Sequence, residues 1–265
     1  MSQGAVARGF VRPRRQERRA GTVGGDWLLC QRREAEEWLD QGIGTLDAVE
    51  QSLADLNRIN LWLGGLRSLT RHLLPRLRRW PSEVCHILDL GAGGGTIAYK
   101  LARWGRLHQR PLRVFALDVR LPHLQWAQRQ LAGWPEIILV QGDAWAPPVA
   151  EGSVDAVISS LFLHHFTPDE LRQLLPCWAN LARRSMIMSD LVRHPLPYWF
   201  MQVASPVFAR SPITRHDAAV SLRRAYTPKE LRTIIDQAGL QEAQLFCHVP
   251  YRMTLVLDRD EGAQP

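Results

Sequence analysis

The chain has 265 residues, 46% of them hydrophobic and 22% charged, which suits one large domain or one domain with an added cap. No apolar run approaches the roughly 20 residues that a membrane span needs, and the start carries no apolar stretch of the kind that directs secretion. Of the net charge of +7, residues 1–25 supply +5, from six arginines (Arg8, Arg12, Arg14, Arg15, Arg18, Arg19) against Glu17, so the basicity reads as a tail rather than a nucleic-acid-binding face.

Cys30, Cys85, Cys177 and Cys247 are far apart, with no C-x-x-C pair, and read as reduced thiols of a cytoplasmic protein. An Arg-rich, acid-poor start also fits an organelle transit peptide, against which its near lack of serine argues. Residues 1–25 have few large apolar side chains and are expected to be disordered. From Asp26 the pattern predicts a helix carrying Trp27, Leu28, Trp38 and Leu39, closed by Gly42 and Gly44. Thr45 is placed to N-cap a second helix with Leu46, Val49, Leu53, Leu56 and Ile59 at helical spacing, stopped after Trp62 by Gly64 and Gly65. A third carries Leu66, Leu69, Leu73 and Leu77, with Pro75 expected to kink it. Residues 26–82 are thus a helical unit, either plain packing or a cap over a site.

The first strand closes in ILDLGAGGGT, residues 87–96, an apolar run ending in a glycine-rich turn before a helix. Glycine accepts positive φ and lets a ligand approach the backbone, and the helix N-terminus aims free N–H groups into the same space. The dinucleotide fingerprint G-x-G-x-x-G fails here, because its third glycine would fall on Thr96 or Ala98. The pattern present is D-x-G-x-G-x-G, at Asp89, Gly91, Gly93 and Gly95. It resembles motif I of the class I S-adenosylmethionine-dependent methyltransferases. That resemblance implies an α/β Rossmann-like sheet of seven strands and S-adenosylmethionine as cofactor. It also implies that Gly91, Ala92 and Gly93 line the cofactor and that Asp89 lies near its amino-acid portion.

The second strand, Arg113–Leu117, ends at Asp118, followed by Val119. An ionised Asp at the carboxyl edge of a parallel sheet accepts two hydrogen bonds from a ribose diol; a surface Asp in a turn is the alternative. Pro122 opens the next helix, with Leu124, Ala127 and Leu131 on its core side. Strand three, Ile137–Val140, runs into QGDAWAPP. This segment resembles the family's adenine-binding stretch, which implies that Asp143 accepts from the adenine amino group and that the Ala144 N–H reaches a ring nitrogen. Strand four, Asp155–Ser159, leads into Ser160-Leu161-Phe162-Leu163-His164-His165-Phe166, which resembles the family's motif IV segment in a bacterial small-molecule group often found with polyketide genes. Ser160 and Leu161 fall on the cofactor side of that segment. The N-P-P-Y or D-P-P-Y turn of the enzymes that methylate base amines is missing, which argues against nucleobase methylation.

Thr167-Pro168-Asp169-Glu170 and Thr227-Pro228-Lys229-Glu230 are capping boxes with proline at the first helical position. Leu171, Leu174, Leu175 and Trp178 line the first helix, and Leu231, Ile234 and Ile235 the second, which stops at Gly239. Between them strand five, Ser185–Met188, ends at Asp190 and is followed by an aromatic insertion at about 191–225, too long for a plain connector. It reads as a mostly helical lid over an apolar pocket, with Trp199, Arg215 and His216 as candidate substrate-binding residues. Two last strands, near Ala243–His248 and Arg252–Leu257, are close enough for a hairpin, so one of them runs antiparallel. The methyltransferase domain accordingly spans 83–258.

The reaction implied is methyl transfer from a sulfonium to a small, largely apolar acceptor, in which the protein mainly supplies alignment. A hydroxyl acceptor, on a phenolic or polyketide-like ring, needs a base, and histidine suits the task. The candidates are His165, slightly favoured, His164 and His216, with Asp190 placed to orient one of them. His164, His165, Asp190 and His216 match no metal-ligand spacing, so no metal is expected. Carbon methylation of a quinone-type ring and a non-catalytic binding protein of the same fold are the alternatives. The expected partner is a small molecule rather than nucleic acid.

Overall fold

The structure is a computed structural model that describes residues 31–81 and 83–259. The expectations for residues 1–25, Trp27 and Leu28 therefore lie outside the described residues. Seven strands form one sheet: β1 Cys85–Leu90, β2 Leu112–Asp118, β3 Ile137–Gln141, β4 Val154–Ser160, β5 Ala182–Leu191, β6 Gln244–His248 and β7 Arg252–Asp258. Their order is β3-β2-β1-β4-β5-β7-β6. β1 to β5 run parallel, and β7 is antiparallel to both β5 and β6, as the short hairpin connection requires. The chain winds outward from β1 in both directions, so the carboxyl ends of β1 and β4 border the crevice where ligands bind in such sheets. The observed strands match those read from the sequence to within a few residues at their ends.

Burial on both faces explains the near-continuous apolar runs of β1, β4 and β5. Side chains alternate between two cores. Leu88, Leu90, Val157, Met186 and Leu255 face the helices α6 (Pro168–Leu181) and α9 (Pro228–Gln237), where Trp178 is completely buried. Ile87, Ile158, Ile187 and Val256 face α3 (Gly65–Arg79) and α4 (Thr96–Leu107). Both capping boxes form, with Thr167 and Thr227 each accepting from the N–H three residues on.

Two differences from the sequence reading, in the first and third helices, have physical causes. The helix expected up to Leu39 is only α1, Trp38–Gln41; residues 32–37 have no regular structure. Their polar groups make distant contacts instead: the Arg33 N–H donates to the Arg223 carbonyl, and the Arg32 guanidinium reaches the carbonyls of Arg224, His164 and Phe166. α3 belongs to the sheet layer rather than to a cap, because Leu69, Leu73 and Leu77 pack on Ile87 and Val114. It continues through Pro75 to Arg79. The insertion folds as two helices, α7 (Pro195–Phe208) and α8 (Pro212–Arg224), with α8 packed on α2 (Leu46–Trp62). Asp55 on α2 is fully buried and accepts from the backbone N–H groups of Arg210 and Ser211, which fixes the α7–α8 turn against α2.

Candidate active site

A cavity of about 1220 Å³ lies over the carboxyl ends of the parallel strands, walled on its far side by α1, α2, α7 and α8. Asp89, Gly91, Ala92, Gly93, Asp118, Val119, Asp143, Ala144, Ser160 and Leu161 all line it, so the structure brings the ten expected cofactor residues to one opening.

The glycine loop shows why side chains are excluded there. Gly91 has φ +67, and a Cβ on it would fall 2.3 Å from the Phe162 ring. Gly93 has φ +54, and a Cβ there would meet nothing within 4 Å, only the open cavity. The loop is tied to β2 at two points: the Ala92 N–H donates to the Leu117 carbonyl at 2.9 Å, and the Gly93 N–H to Asp118 Oδ2 at 2.8 Å. Asp118 Oδ1 accepts from the Arg120 N–H at 2.8 Å. The carboxylate at the end of β2 thus shapes the loop as well as facing the cavity. Asp143 Oδ1 accepts from the Trp145 N–H, and the Ala144 carbonyl from Trp178 Nε1 at 2.7 Å, which anchors the turn after β3 to the core.

Asp89 is the unusual group. It is 1% exposed, and neither carboxylate oxygen has a hydrogen-bond partner among the described residues. Burial, with a smaller contribution from the Asp118 charge, pushes its pKa up to about 8. A buried orphan carboxyl beside an open glycine turn is what an ammonium-bearing ligand would complete. The amino-acid portion of S-adenosylmethionine carries such a group, so the residues present fit the cofactor.

On the other side of the cavity the two adjacent histidines occupy a 3₁₀ turn, Leu163–His165. His164 is fully buried, with Nδ1 2.8 Å from Asp190 Oδ1 and Nε2 3.3 Å from Glu37 Oε1. Asp190 Oδ2 also accepts the His164 backbone N–H. Burial alone would lower the His164 pKa; the two carboxylates outweigh it and hold it at about 9. His165 is less buried, and its Nδ1 lies 2.7 Å from Asp40 Oδ2. Burial would raise the Asp40 pKa, but His165 and Arg224 hold it well below the usual carboxylate range. Each histidine ring thus meets its own carboxylate, Asp190 for His164 and Asp40 for His165. The turn's carbonyls are gripped by Arg32 on His164 and Phe166, Arg224 on His164 and His165, and the Tyr226 hydroxyl on Phe166.

Three expected residues lie elsewhere. His216 stacks on Trp38 with ring centroids 3.9 Å apart and bonds Asp217, Arg215 donates to the Ala209 carbonyl, and Trp199 is half exposed on α7. None of them lines the cavity. The reason is helical phase: α8 turns Ala218, Ser221 and Leu222 toward the cavity, and α7 turns Pro197, Phe200 and Met201. Among the described residues, Glu37, His164 and His165 bring one potential metal-ligand atom each within 4.8 Å of one another; neither Asp190 nor His216 of the four residues considered from the sequence belongs to that group. Glu37 and Asp40 escaped the sequence reading entirely, since acids in a charged stretch carry no local sign of histidines more than a hundred residues away.

This sheet order, with a glycine loop after β1 and acids at the end of β2 and after β3, is the Rossmann-like class I methyltransferase fold, whose cofactor is S-adenosylmethionine. Residues 87–185 match the model of a family described as "Methyltransferase domain". Over 79 residues the chain is 43% identical to the malonyl-[acyl-carrier protein] O-methyltransferase of Xylella fastidiosa (strain M23), a match covering 29% of this chain and 25% of that protein. The chain thus aligns with a quarter of the length of that curated relative. Solved structures share the fold at low identity. A SAM-dependent methyltransferase from Aquifex aeolicus matches with TM-score 0.55 at 15% identity, over 78% of this chain and 96% of that one. The CurJ carbon methyltransferase matches with TM-score 0.58 at 12% identity, over 83% and 62%.

Proposed function

We propose that the chain transfers the methyl group of S-adenosylmethionine to an oxygen of a small, largely apolar acceptor, a phenolic or polyketide-like ring. The observation that carries the reading is the His165–Asp40 pair, set in the wall of the same cavity that the glycine loop opens into. When bound, the cofactor supplies a methyl group on a good leaving group, so the chain has to provide alignment and a place for the acceptor's proton. With Nδ1–H donated to Asp40, His165 offers Nε2 to a hydroxyl; Asp40 then stabilises the imidazolium that forms. His164 already carries its proton at neutral pH and is flanked by Asp190 and Glu37, so its role is to position the turn. The relative named malonyl-[acyl-carrier protein] O-methyltransferase is consistent with an oxygen acceptor but does not name this one. Leu56, Ile59, Leu63, Phe200, Met201 and Leu222 give the acceptor side its apolar character.

The test is transfer of labelled methyl from S-adenosylmethionine to a panel of phenols and polyketide-like phenols, with wild type and His165→Gln. The expected outcome is O-methyl product from wild type and a large loss in the variant. Label on ring carbon, with turnover unimpaired in His165→Gln, would overturn the oxygen reading. Cofactor binding without any transfer across the panel would favour a binding protein.

A further inference from the structure

Helix α7 presents an apolar face to solvent. Leu196, Trp199, Phe200 and Val203 recur at i, i+3, i+4 and i+7, which is one stripe of a helix, and each is at least half exposed, Val203 at 78%. The opposite face, with Tyr198 and Met201, is the one that packs. Trp62, at the end of α2 and 79% exposed, shares a side pocket of about 300 Å³ with Phe200. A soluble surface rarely leaves two tryptophans, a phenylalanine and two aliphatic side chains grouped in this way without a partner.

Two further features select the partner. The same side pocket is lined by Arg58 and the exposed Arg210, so cationic groups stand at the edge of the apolar stripe. Asp55 accepts from the Arg58 guanidinium and from the Arg210 backbone N–H, which fixes the Arg58 head group and the Arg210 backbone beside the pocket. The side pocket also shares Ile59, Leu63, Phe200 and Met201 with the main cavity, and Leu196 lines that cavity too. The stripe is therefore the outer edge of the acceptor's apolar walls. A protein seated on it would close that edge, whereas a lipid phase covers it and continues the apolar path inward. Aromatic and aliphatic side chains rimmed by arginine suit the interface of an anionic bilayer, where rings lie at headgroup depth and guanidiniums meet phosphate.

We infer that α7 and Trp62 dock the chain on the surface of an anionic lipid bilayer. The apolar cavity then takes its acceptor from the membrane rather than from water. The docking stands on the exposed stripe and the arginines at its edge; only the delivery of an acceptor rests on the proposed methyl transfer.

The test is sedimentation of the full chain with vesicles of phosphatidylcholine, with and without about a third phosphatidylglycerol. Wild type is expected to bind the anionic vesicles and to bind the neutral ones more weakly. Trp199→Glu/Val203→Glu is expected to lose about tenfold or more in partition, because two exposed apolar contacts are replaced by charges that repel the surface. Arg210→Glu is expected to lose affinity chiefly for the anionic vesicles. Val203→Ser with Trp62→Ser serves as a second, uncharged variant, and thermal melts check that all variants fold. Because the basic tail is kept in every variant, undiminished binding of the stripe variants would assign membrane attachment to the tail and overturn the inference. Failure of wild type to sediment would overturn it as well. So would a dimer, seen by light scattering, that the stripe variants dissociate while no form binds vesicles. None of these readouts requires methyl transfer, so the docking and the proposed reaction fail separately.

Discussion

Asp89→Asn tests the cofactor cradle most directly, because it removes the ionisable carboxyl while keeping shape. The folded chain holds the Asp89 proton up to about pH 8, whereas an exposed aspartate releases it near 3.8. Between those values the folded state binds more protons than the unfolded state, so raising the pH withdraws stability. At about 1.4 kcal/mol for each factor of ten in proton affinity, the rise amounts to roughly 5 kcal/mol at most between about pH 4 and about pH 8. Asparagine has no such dependence. The difference in unfolding free energy, Asp89→Asn minus wild type, is therefore expected to be small near pH 4 and to grow by several kcal/mol toward pH 8. Urea unfolding at closely spaced pH values measures it, and the difference cancels the other carboxylates. The same variant is expected to bind S-adenosylmethionine about tenfold or more weakly, most of all above about pH 8, where the wild-type carboxyl ionises and can pair with the ammonium. A difference flat with pH, together with unchanged cofactor affinity by calorimetry, would refute both the orphan state of this carboxyl and its pairing with the ligand.

His165→Gln is expected to lower kcat/KM by about a hundredfold to ten-thousandfold while leaving cofactor affinity unchanged, and Asp40→Asn to lower it less. Steady-state kinetics beside calorimetry separates these effects. Asp190→Asn leaves the buried His164 without its main counter-charge and is expected to cost roughly 3–5 kcal/mol in urea unfolding. In wild type, His164 holds its proton more tightly when folded than unfolded, so its contribution is complete below about pH 6.5 and is lost as the pH rises through about 9; thermal melts across that window should show the decline, and the variant should show less of it. Gly91→Ala brings a Cβ 2.3 Å from Phe162 at positive φ, whereas Gly93→Ala meets only open space. Both are expected to weaken cofactor binding, but Gly91→Ala should lower stability by about 1–3 kcal/mol more, read from denaturant midpoints.

Much of the site was legible because its parts are local. Asp89, Asp118 and Asp143 each end or follow a strand marked by an apolar run, and the glycine turn between β1 and α4 is written in consecutive residues. Thr167 and Thr227 announce their helices within four residues. The stretch from Arg32 to Asp40 was misread for the opposite reason. Its charges serve carbonyls and histidines far along the chain, and helical spacing has nothing to say about that. The insertion was foreseen as helical, but not which of its faces turns inward, so Trp199, Arg215 and His216 were expected at a cavity that receives Met201, Ser221 and Leu222 instead.

The sequence by itself determined the strands, the caps, the bare turn and the three acids, because each depends on a period of two or 3.6 residues, a short capping contact or a backbone angle that glycine alone tolerates. Only the tertiary structure decided which carboxylate each histidine meets. Asp190 reaches His164 across 26 residues and Asp40 reaches His165 across 125, and contacts of that range are set by how the N-terminal segment, the sheet and the 191–225 insertion pack on one another, not by any local pattern.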